Sequence, residues 1–209
     1  MMGNPNQPIF ILKEGTERVK GRPAMSANIN AAKATAEAVR TTLGPLGMDK
    51  MLVQGNTGET TITNDGATIL REIDIEHPAA RLIIEVSKNQ EESCFDGTTS
   101  AVVLTGALLE KSEDLLAQQI HPTVICRGFR KAEKLAQDEL DKIGWDCSLE
   151  DLRRVAGTAL TGKSAESASD TLSSICVDAI SAVKDEDGTI NTDNIKVFLE
   201  TFKSTDKIN

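Results

Sequence analysis

The chain has 209 residues and an acidic balance, 23 Lys and Arg against 32 Asp and Glu, for a net charge of −9. At ~100–200 residues per domain that length suggests one domain or two small ones. The acid excess argues against a binder of nucleic-acid backbones, which needs clustered Lys and Arg. No stretch approaches the ~20 consecutive apolar residues of a membrane-spanning helix, and the polar start Met1–Pro5 carries no signal-peptide core.

Aromatic residues are scarce, with five Phe, one Trp and no Tyr, while alanine is abundant. A core of small aliphatic side chains suits closely packed helices better than a sheet sandwich, which favours aromatic and β-branched residues. Cys94, Cys126, Cys147 and Cys176 form no Cys-x-x-Cys pair, and neither His77 nor His121 is near them in sequence. They read as free, buried thiols in a reducing cytosol rather than as a zinc site.

In chain order, Pro8–Lys13 reads as a short strand through Ile9–Leu12, and Glu14–Met25, with Gly15, Gly21 and Pro23, as a loop. A helix begins near Ser26, with Ile29, Ala32, Ala36, Val39 and Leu43 on one face, and Gly44-Pro45 stops it. Met51–Val53, the turn Gly55–Gly58 and Thr60–Thr63 read as a β-hairpin. Asn64-Asp65-Gly66 is a turn before an amphipathic segment carrying Ala67, Ile69, Leu70 and Ile73. His77-Pro78 and His121-Pro122 each open a helix, with proline in its tolerated first position. The apolar run Ala101–Leu109 lies between them. After Pro122 the residues Val124, Ile125, Phe129, Ala132, Leu135, Ala136 and Leu140 repeat at helical spacing.

Gly144–Ser148 is a break, and Ser148–Asp151 reads as a capping box that opens a short helix through Val155. A further helix covers about Ala165–Val183, with Leu172, Ile175, Ala179 and Val183 on one stripe. Asp185–Gly188 is a turn, and Ile195–Glu200 reads as a strand with nothing visible to pair it. The fold class expected is therefore mainly α with a small β-hairpin and edge strands.

Two stretches share the pattern Asp-Gly-x-Thr before a helix: Asp65-Gly66-Ala67-Thr68 and Asp96-Gly97-Thr98-Thr99. Backbone N–H groups and the positive helix end then converge on one point, which fits an anion such as phosphate. The aspartate cannot serve a bare phosphate, but it suits a bridging Mg²⁺ or the proton of an attacking water. Two such turns face to face would form a nucleotide site, whereas either alone is also what an ordinary turn and N-cap look like.

Gly157–Ser164 matches G-x-x-x-x-G-K-[ST], the P-loop pattern. A P-loop follows a buried apolar strand, but Leu149–Ala156 repeats as an amphipathic helix with Glu150, Asp151, Arg153 and Arg154. A P-loop NTPase is the remote alternative. Lys163 in its glycine-flanked turn still suits a phosphate.

With Gly44-Pro45, Asp65, Asp96 and Lys163 in view, the chain resembles a group II chaperonin subunit, the family of the archaeal thermosome and the eukaryotic cytosolic ring chaperonin. The resemblance runs in order through Ile11–Gly15, Thr42–Met51, Ile62–Leu70, His77–Ala80, Asp96–Ser100, His121–Thr123, Arg127–Ala132 and Thr158–Lys163. It implies an ATP-hydrolysing, cytoplasmic chaperone that closes a double ring of subunits around unfolded protein clients, with no nucleic-acid or membrane partner. It implies ATP and Mg²⁺ as cofactors. Leu43, Gly44 and Pro45 would contact the nucleotide. Asp96 would be the metal ligand, and Gly97, Thr98, Thr99 and Ser100 would cradle phosphates. Asp65 would be the catalytic acid near the attacking water, and Gly162 and Lys163 would read the terminal phosphate.

The resemblance also implies that residues 1–147 form the N-terminal half of an equatorial, ATP-binding domain. Residues 148–209 would then form the N-terminal half of an α/β intermediate domain, with Asn209 falling where the apical domain would begin. On that reading helix faces stay uncovered and the chain tends to associate. Two departures stand out: the family usually has Gly at Phe95, and Lys or Arg at Leu46. A second reading follows from these departures, a truncated chain that docks into rings or binds nucleotide without turnover.

Overall fold

The computed structural model describes residues 18–163 and 165–198. Contacts divide the chain into two units, one formed by Met1–Leu43 with Met48–Lys131, the other by Gly44–Gly47 with Ala132–Asn209. Among the described residues the elements are α1 (Arg22–Arg40), the strands β1 (Lys50–Val53) and β2 (Thr60–Thr63), α2 (Gly66–Glu72), α3 (Pro78–Cys94), α4 (Thr98–Ala117), α5 (Pro122–Ile143), α6 (Leu149–Leu160) and α7 (Ser169–Ala182). This is the mainly helical fold with one small hairpin that composition and periodicity anticipate. Among the described residues no helix is long and apolar enough to cross a membrane.

In the first unit α1 to α4 enclose a core of Ala32, Ala36, Val39, Ile69, Leu70, Ile83 and Val102, with no aromatic residue. The expected face of α1 is buried at Ile29, Ala32, Ala36 and Val39. Small side chains let helices approach closely. A Cβ added at Gly106 of α4 would fall 2.4 Å from the Cβ of Ala36. The α1–α4 seam also holds a Ser26–Glu113 hydrogen bond of 3.0 Å and a Lys33–Glu110 ion pair of 3.4 Å. Buried Thr35 and Ser112 return their hydroxyls to the carbonyls one turn back, of Ala31 and Leu108. Ser87 on α3 is equally buried and its Oγ finds no partner among the described residues.

The hairpin is antiparallel, with Met51 opposite Ile62 and Leu52 opposite Thr61. Leu52 packs against the core, while Met51, Val53 and Ile62 face outward.

In the second unit α6 and α7 pack against each other, and Arg153 on α6 pairs with Asp178 on α7 at 3.2 Å. The capping box forms as read: Ser148 Oγ accepts from the Asp151 N–H, and an Asp151 oxygen accepts from the Ser148 N–H. The turn before Thr189 closes through Asp185 N–H to the Thr189 carbonyl at 2.9 Å.

Several expectations are corrected. Helix α1 begins at Arg22, not Ser26, because Pro23 occupies the first turn, where its missing N–H costs nothing, and Gly21 takes the N-cap at φ 71°. Helix α6 continues past Val155 to Leu160, so Gly157–Leu160 are its last residues. The P-loop pattern is thus half helix, and α6, not a strand, leads into its glycine turn. Of the strand read over Ile195–Glu200, residues Ile195–Phe198 form none, and Leu199 and Glu200 lie outside the described residues. Residues Ile195–Phe198 follow a short 3-10 turn at Thr192–Asn194, and a strand without a ladder partner has no hydrogen bonds to hold it. The strand read over Pro8–Lys13 lies outside the described residues.

The four cysteines are free but exposed, not buried. The helical register decides this at Cys126 and Cys176, whose neighbours Ile125 and Val177 take the inward positions. The α5 stripe is likewise uncovered toward its end: Ile125 is buried and Phe129 half-buried, but Leu135 is 59% and Leu140 62% exposed.

Candidate functional site

The first acidic turn is assembled by β2 and α2. Asp65 has extended backbone and caps α2. Its N–H donates to Thr63 Oγ1 at 3.1 Å, and its Oδ2 accepts from both the N–H and the hydroxyl of Thr68, each at 2.8 Å. The carboxylate is therefore anchored through one oxygen, and Oδ1 has no partner among the described residues.

The second turn joins α3 to α4. Phe95 ends α3 in the left-handed region at φ 56°, donating its N–H to the Glu91 carbonyl at 2.9 Å. A non-glycine residue there costs roughly 1–2 kcal/mol of backbone energy. Phe95 is 79% exposed, so its side chain turns to solvent and leaves the turn uncrowded. Gly97 caps α4 at φ 76°, a conformation glycine adopts without penalty. The Asp96 Oδ1 accepts from the Gly97 N–H at 2.8 Å, and the Asp96 carbonyl accepts from Gln90 Nε2 at 2.9 Å. Asp96 Oδ2 remains unoccupied by any hydrogen bond among the described residues.

Helix α4 runs for 20 residues and no side chain caps its N-terminus. The first-turn N–H groups of Thr98, Thr99 and Ser100 have no intrahelical acceptor. Thr98 is buried, Thr99 half-buried and Ser100 exposed.

The two motifs meet at backbone level. A Cβ on Gly66 would sit 2.4 Å from Thr99 Oγ1 and 3.1 Å from Thr99 Cα, so only glycine fits against the first turn of α4. Arg71 of α2 reaches Glu91 of α3 at 3.0 Å, a second tie between the helices that carry the turns. The paired turns anticipated from the repeated pattern are thus adjacent in one unit.

The remaining residues singled out by sequence fall elsewhere in the chain. Leu43, 44% exposed, leads into a tight turn in which the Gly47 N–H donates to the Gly44 carbonyl at 2.9 Å and Gly44 takes φ 86°. Gly44–Gly47 belongs to the second unit, where Gly162 lies against it: a Cβ on Gly162 would stand 3.7 Å from the carbonyl oxygens of Gly44 and Pro45. Gly162 has φ 76° and donates its N–H to Glu166, and Lys163 beside it is exposed. Leu46 at the tip of the turn is 94% exposed.

No cluster of three His, Cys, Asp or Glu suited to a metal exists among the described residues. A cation at Asp96 would take one protein carboxylate and complete its shell with phosphate oxygens and water, the usual arrangement for Mg²⁺. The free Asp96 Oδ2 beside three unpaired N–H donors is consistent with that donor set. His77 and His121 act as helix caps, each Nδ1 accepting from a backbone N–H two residues on. The sequence shows Thr68 as the fourth residue of its motif but not its role as the anchor of Asp65, and it marks neither Thr63 nor Gln90.

A family model described as the TCP-1/cpn60 chaperonin family matches residues 35–206. The chain is 52% identical over 197 residues to thermosome subunit beta of Methanothermobacter thermautotrophicus, covering 94% of this chain and 36% of that protein. It is 54% identical over 196 residues to thermosome subunit alpha of Archaeoglobus fulgidus (91% and 36%) and 51% identical over 203 residues to the thermosome subunit of Methanopyrus kandleri (94% and 37%). It thus spans little more than a third of the length of these relatives. With the paired acidic turns and the ordered motifs already in place, these matches mean that the chain belongs to the TCP-1/cpn60 chaperonin family, as the N-terminal portion of a group II subunit.

Proposed function

We propose that this chain supplies much of the Mg-ATP site of an ATP-dependent chaperone that works in the cytoplasm, in a ring with other chaperonin subunits, on unfolded protein clients. Residues 1–147 are assigned to the equatorial domain and 148–209 to the intermediate domain. The observation that carries the reading is the contact of Gly66 with Thr99, which leaves the two acidic turns side by side at the start of α4.

The chemistry follows from that arrangement. The N–H groups of Thr98, Thr99 and Ser100, at the positive end of a long helix, receive phosphate oxygens of ATP. Asp96 would hold Mg²⁺, its carboxylate being oriented by the hydrogen bond that Oδ1 accepts from the Gly97 N–H. When bound, the metal ion neutralises phosphate charge and polarises the group being transferred. Asp65, fixed by Thr68 through Oδ2, keeps Oδ1 to orient the attacking water and accept its proton. Leu43, Gly44 and Pro45 line the nucleotide, and Gly162 and Lys163 are assigned to the terminal phosphate on the family resemblance. Leu46 contributes no charge where family members carry a cation, which lowers attraction for phosphate without removing the site.

Calorimetric titration of the chain with ADP in the presence of Mg²⁺ tests the reading. Binding is expected in the parent chain and its loss in Asp96→Asn, while Asp65→Ala binds normally and hydrolyses ATP at less than about a hundredth of the parent rate, the scale of general-base catalysis. Hydrolysis unaffected by Asp65→Ala refutes the assignment. Binding without hydrolysis in the parent chain supports the second reading, a nucleotide-binding chain that docks into rings. The exposed apolar residues Leu104 on α4 and Leu135 on α5 favour that outcome.

A further inference from the structure

We propose that Gln90 is a positioning residue for the phosphate turn, holding Asp96 and Gly97 in place against the backbone strain at Phe95. The inference rests on the nucleotide reading above and extends it to a residue outside every motif. Gln90 is on α3, six residues before Asp96, with its side chain half-buried and folded back over the end of its own helix. Its Nε2 donates to the Asp96 carbonyl at 2.9 Å. The same Nε2 would lie 3.2 Å from a Cβ at Gly97, so the amide also packs against the capping residue of α4. One side chain thus contacts two of the three residues, Asp96 and Gly97, that separate the end of α3 from the start of α4.

The turn needs such a brace. Phe95 occupies the left-handed region at φ 56° and is 79% exposed, so neither its backbone preference nor burial of its side chain holds it there. Relaxation of Phe95 toward negative φ would swing the following peptide and carry the Asp96 carbonyl, and with it the carboxylate, away from α4. The Gln90–Asp96 hydrogen bond opposes that rotation. An amide suits this position because it donates to a carbonyl without adding charge beside a metal-binding carboxylate, whereas Glu here would only accept and would repel both oxygens.

The test compares ADP affinity of the whole chain across a Mg²⁺ series and in EDTA, for the parent, Gln90→Met and Gln90→Glu. Met keeps the volume and helix propensity of Gln without the donor. The half-saturating Mg²⁺ concentration is expected to rise about tenfold or more in both variants, the usual effect of losing a group that orients a metal ligand. Affinity in EDTA is expected to stay within about twofold, since the α4 donors are untouched. Adding Phe95→Gly to Gln90→Met is expected to recover most of the loss, because glycine holds the left-handed conformation unaided. Unchanged Mg²⁺ dependence in both variants overturns the proposal. So does an equal loss with and without Mg²⁺, or the absence of rescue by Phe95→Gly. A parent chain that binds no ADP under any condition, with Asp96→Asn indistinguishable from it, overturns the nucleotide reading itself and is recognised by that pattern.

Discussion

Replacing Gly66 by Ala tests whether the two acidic turns are joined at backbone level. The added methyl would lie 2.4 Å from Thr99 Oγ1, 3.1 Å from Thr99 Cα and 3.2 Å from Thr99 Cβ. Rotation of the Thr99 side chain relieves the first contact but not the second, so α2 and α4 must part by several tenths of an ångström. Overpacking of this kind costs roughly 1–3 kcal/mol. The loss of glycine's unfolded-state freedom returns about 0.4–1 kcal/mol, leaving a net destabilisation of about 1–2 kcal/mol. The control is Gly128→Ala on α5, in the same unit, where a Cβ meets nothing within 4 Å and helix propensity favours alanine by about 0.5–1 kcal/mol. Urea unfolding followed by circular dichroism is expected to move the midpoint down for Gly66→Ala and up for Gly128→Ala. In a chain of this size a change of 1 kcal/mol shifts Tm by about 2–4 °C. ADP affinity in Mg²⁺ is expected to fall only in Gly66→Ala. If both alanine variants are equally stabilised, the contact between the turns is refuted.

Three further outcomes are expected. Ser87→Ala stabilises the chain by about 1 kcal/mol by removing a buried hydroxyl that no acceptor satisfies, whereas Ser112→Ala, which loses a bond to the Leu108 carbonyl, gains less; a larger urea midpoint shift for Ser112→Ala contradicts this. Hydrogen bonds from the Ser148 hydroxyl and N–H hold the Asp151 carboxyl below its ordinary value. Its stabilising contribution is present above the unfolded value of about 3.9 and is lost as pH falls through the depressed native one. An NMR pH series should show the Asp151 midpoint rising in Ser148→Ala, and an unchanged midpoint argues against the box. The uncovered α5 stripe predicts concentration-dependent association in sedimentation velocity, reduced in Leu135→Glu/Leu140→Glu, and a parent chain that stays monomeric at every concentration counts against it.

Much of the fold is legible because its helices are strongly periodic. The buried face of α1 is read correctly at Ile29, Ala32, Ala36 and Val39, though Leu43, read on the same face, lies past the helix end and is exposed, and the His-Pro and Ser148 caps mark helix starts by local chemistry that tertiary contacts do not override. The misreadings have local causes too. Pro23 and Gly21 carry loop signals, yet both fit a helix start. The glycines flanking Leu160 mimic a phosphate loop, yet Gly157 simply lies inside a helix. The cysteines fail because residue-type preference says nothing of which side of a helix a residue takes. Within the candidate site, the aspartates and glycines are visible in sequence because turn and cap chemistry requires them at fixed spacing. The braces are not: Gln90 meets Asp96 only because α3 ends in a left-handed residue, and Thr99 meets Gly66 only because two helices from distant segments converge.

The contact at Gly66 has a mechanical consequence. The contact is partly backbone, with Thr99 Cα 3.1 Å from where a Cβ on Gly66 would stand, so rotation of the Thr99 side chain cannot by itself open the joint. A shift of the first turn of α4 is passed to Gly66, through Asp65 to Thr63, and so into the hairpin within four residues of chain. That hairpin carries the outward row of Met51, Val53 and Ile62, so an exposed apolar row lies one short strand away from the joint between the two acidic turns.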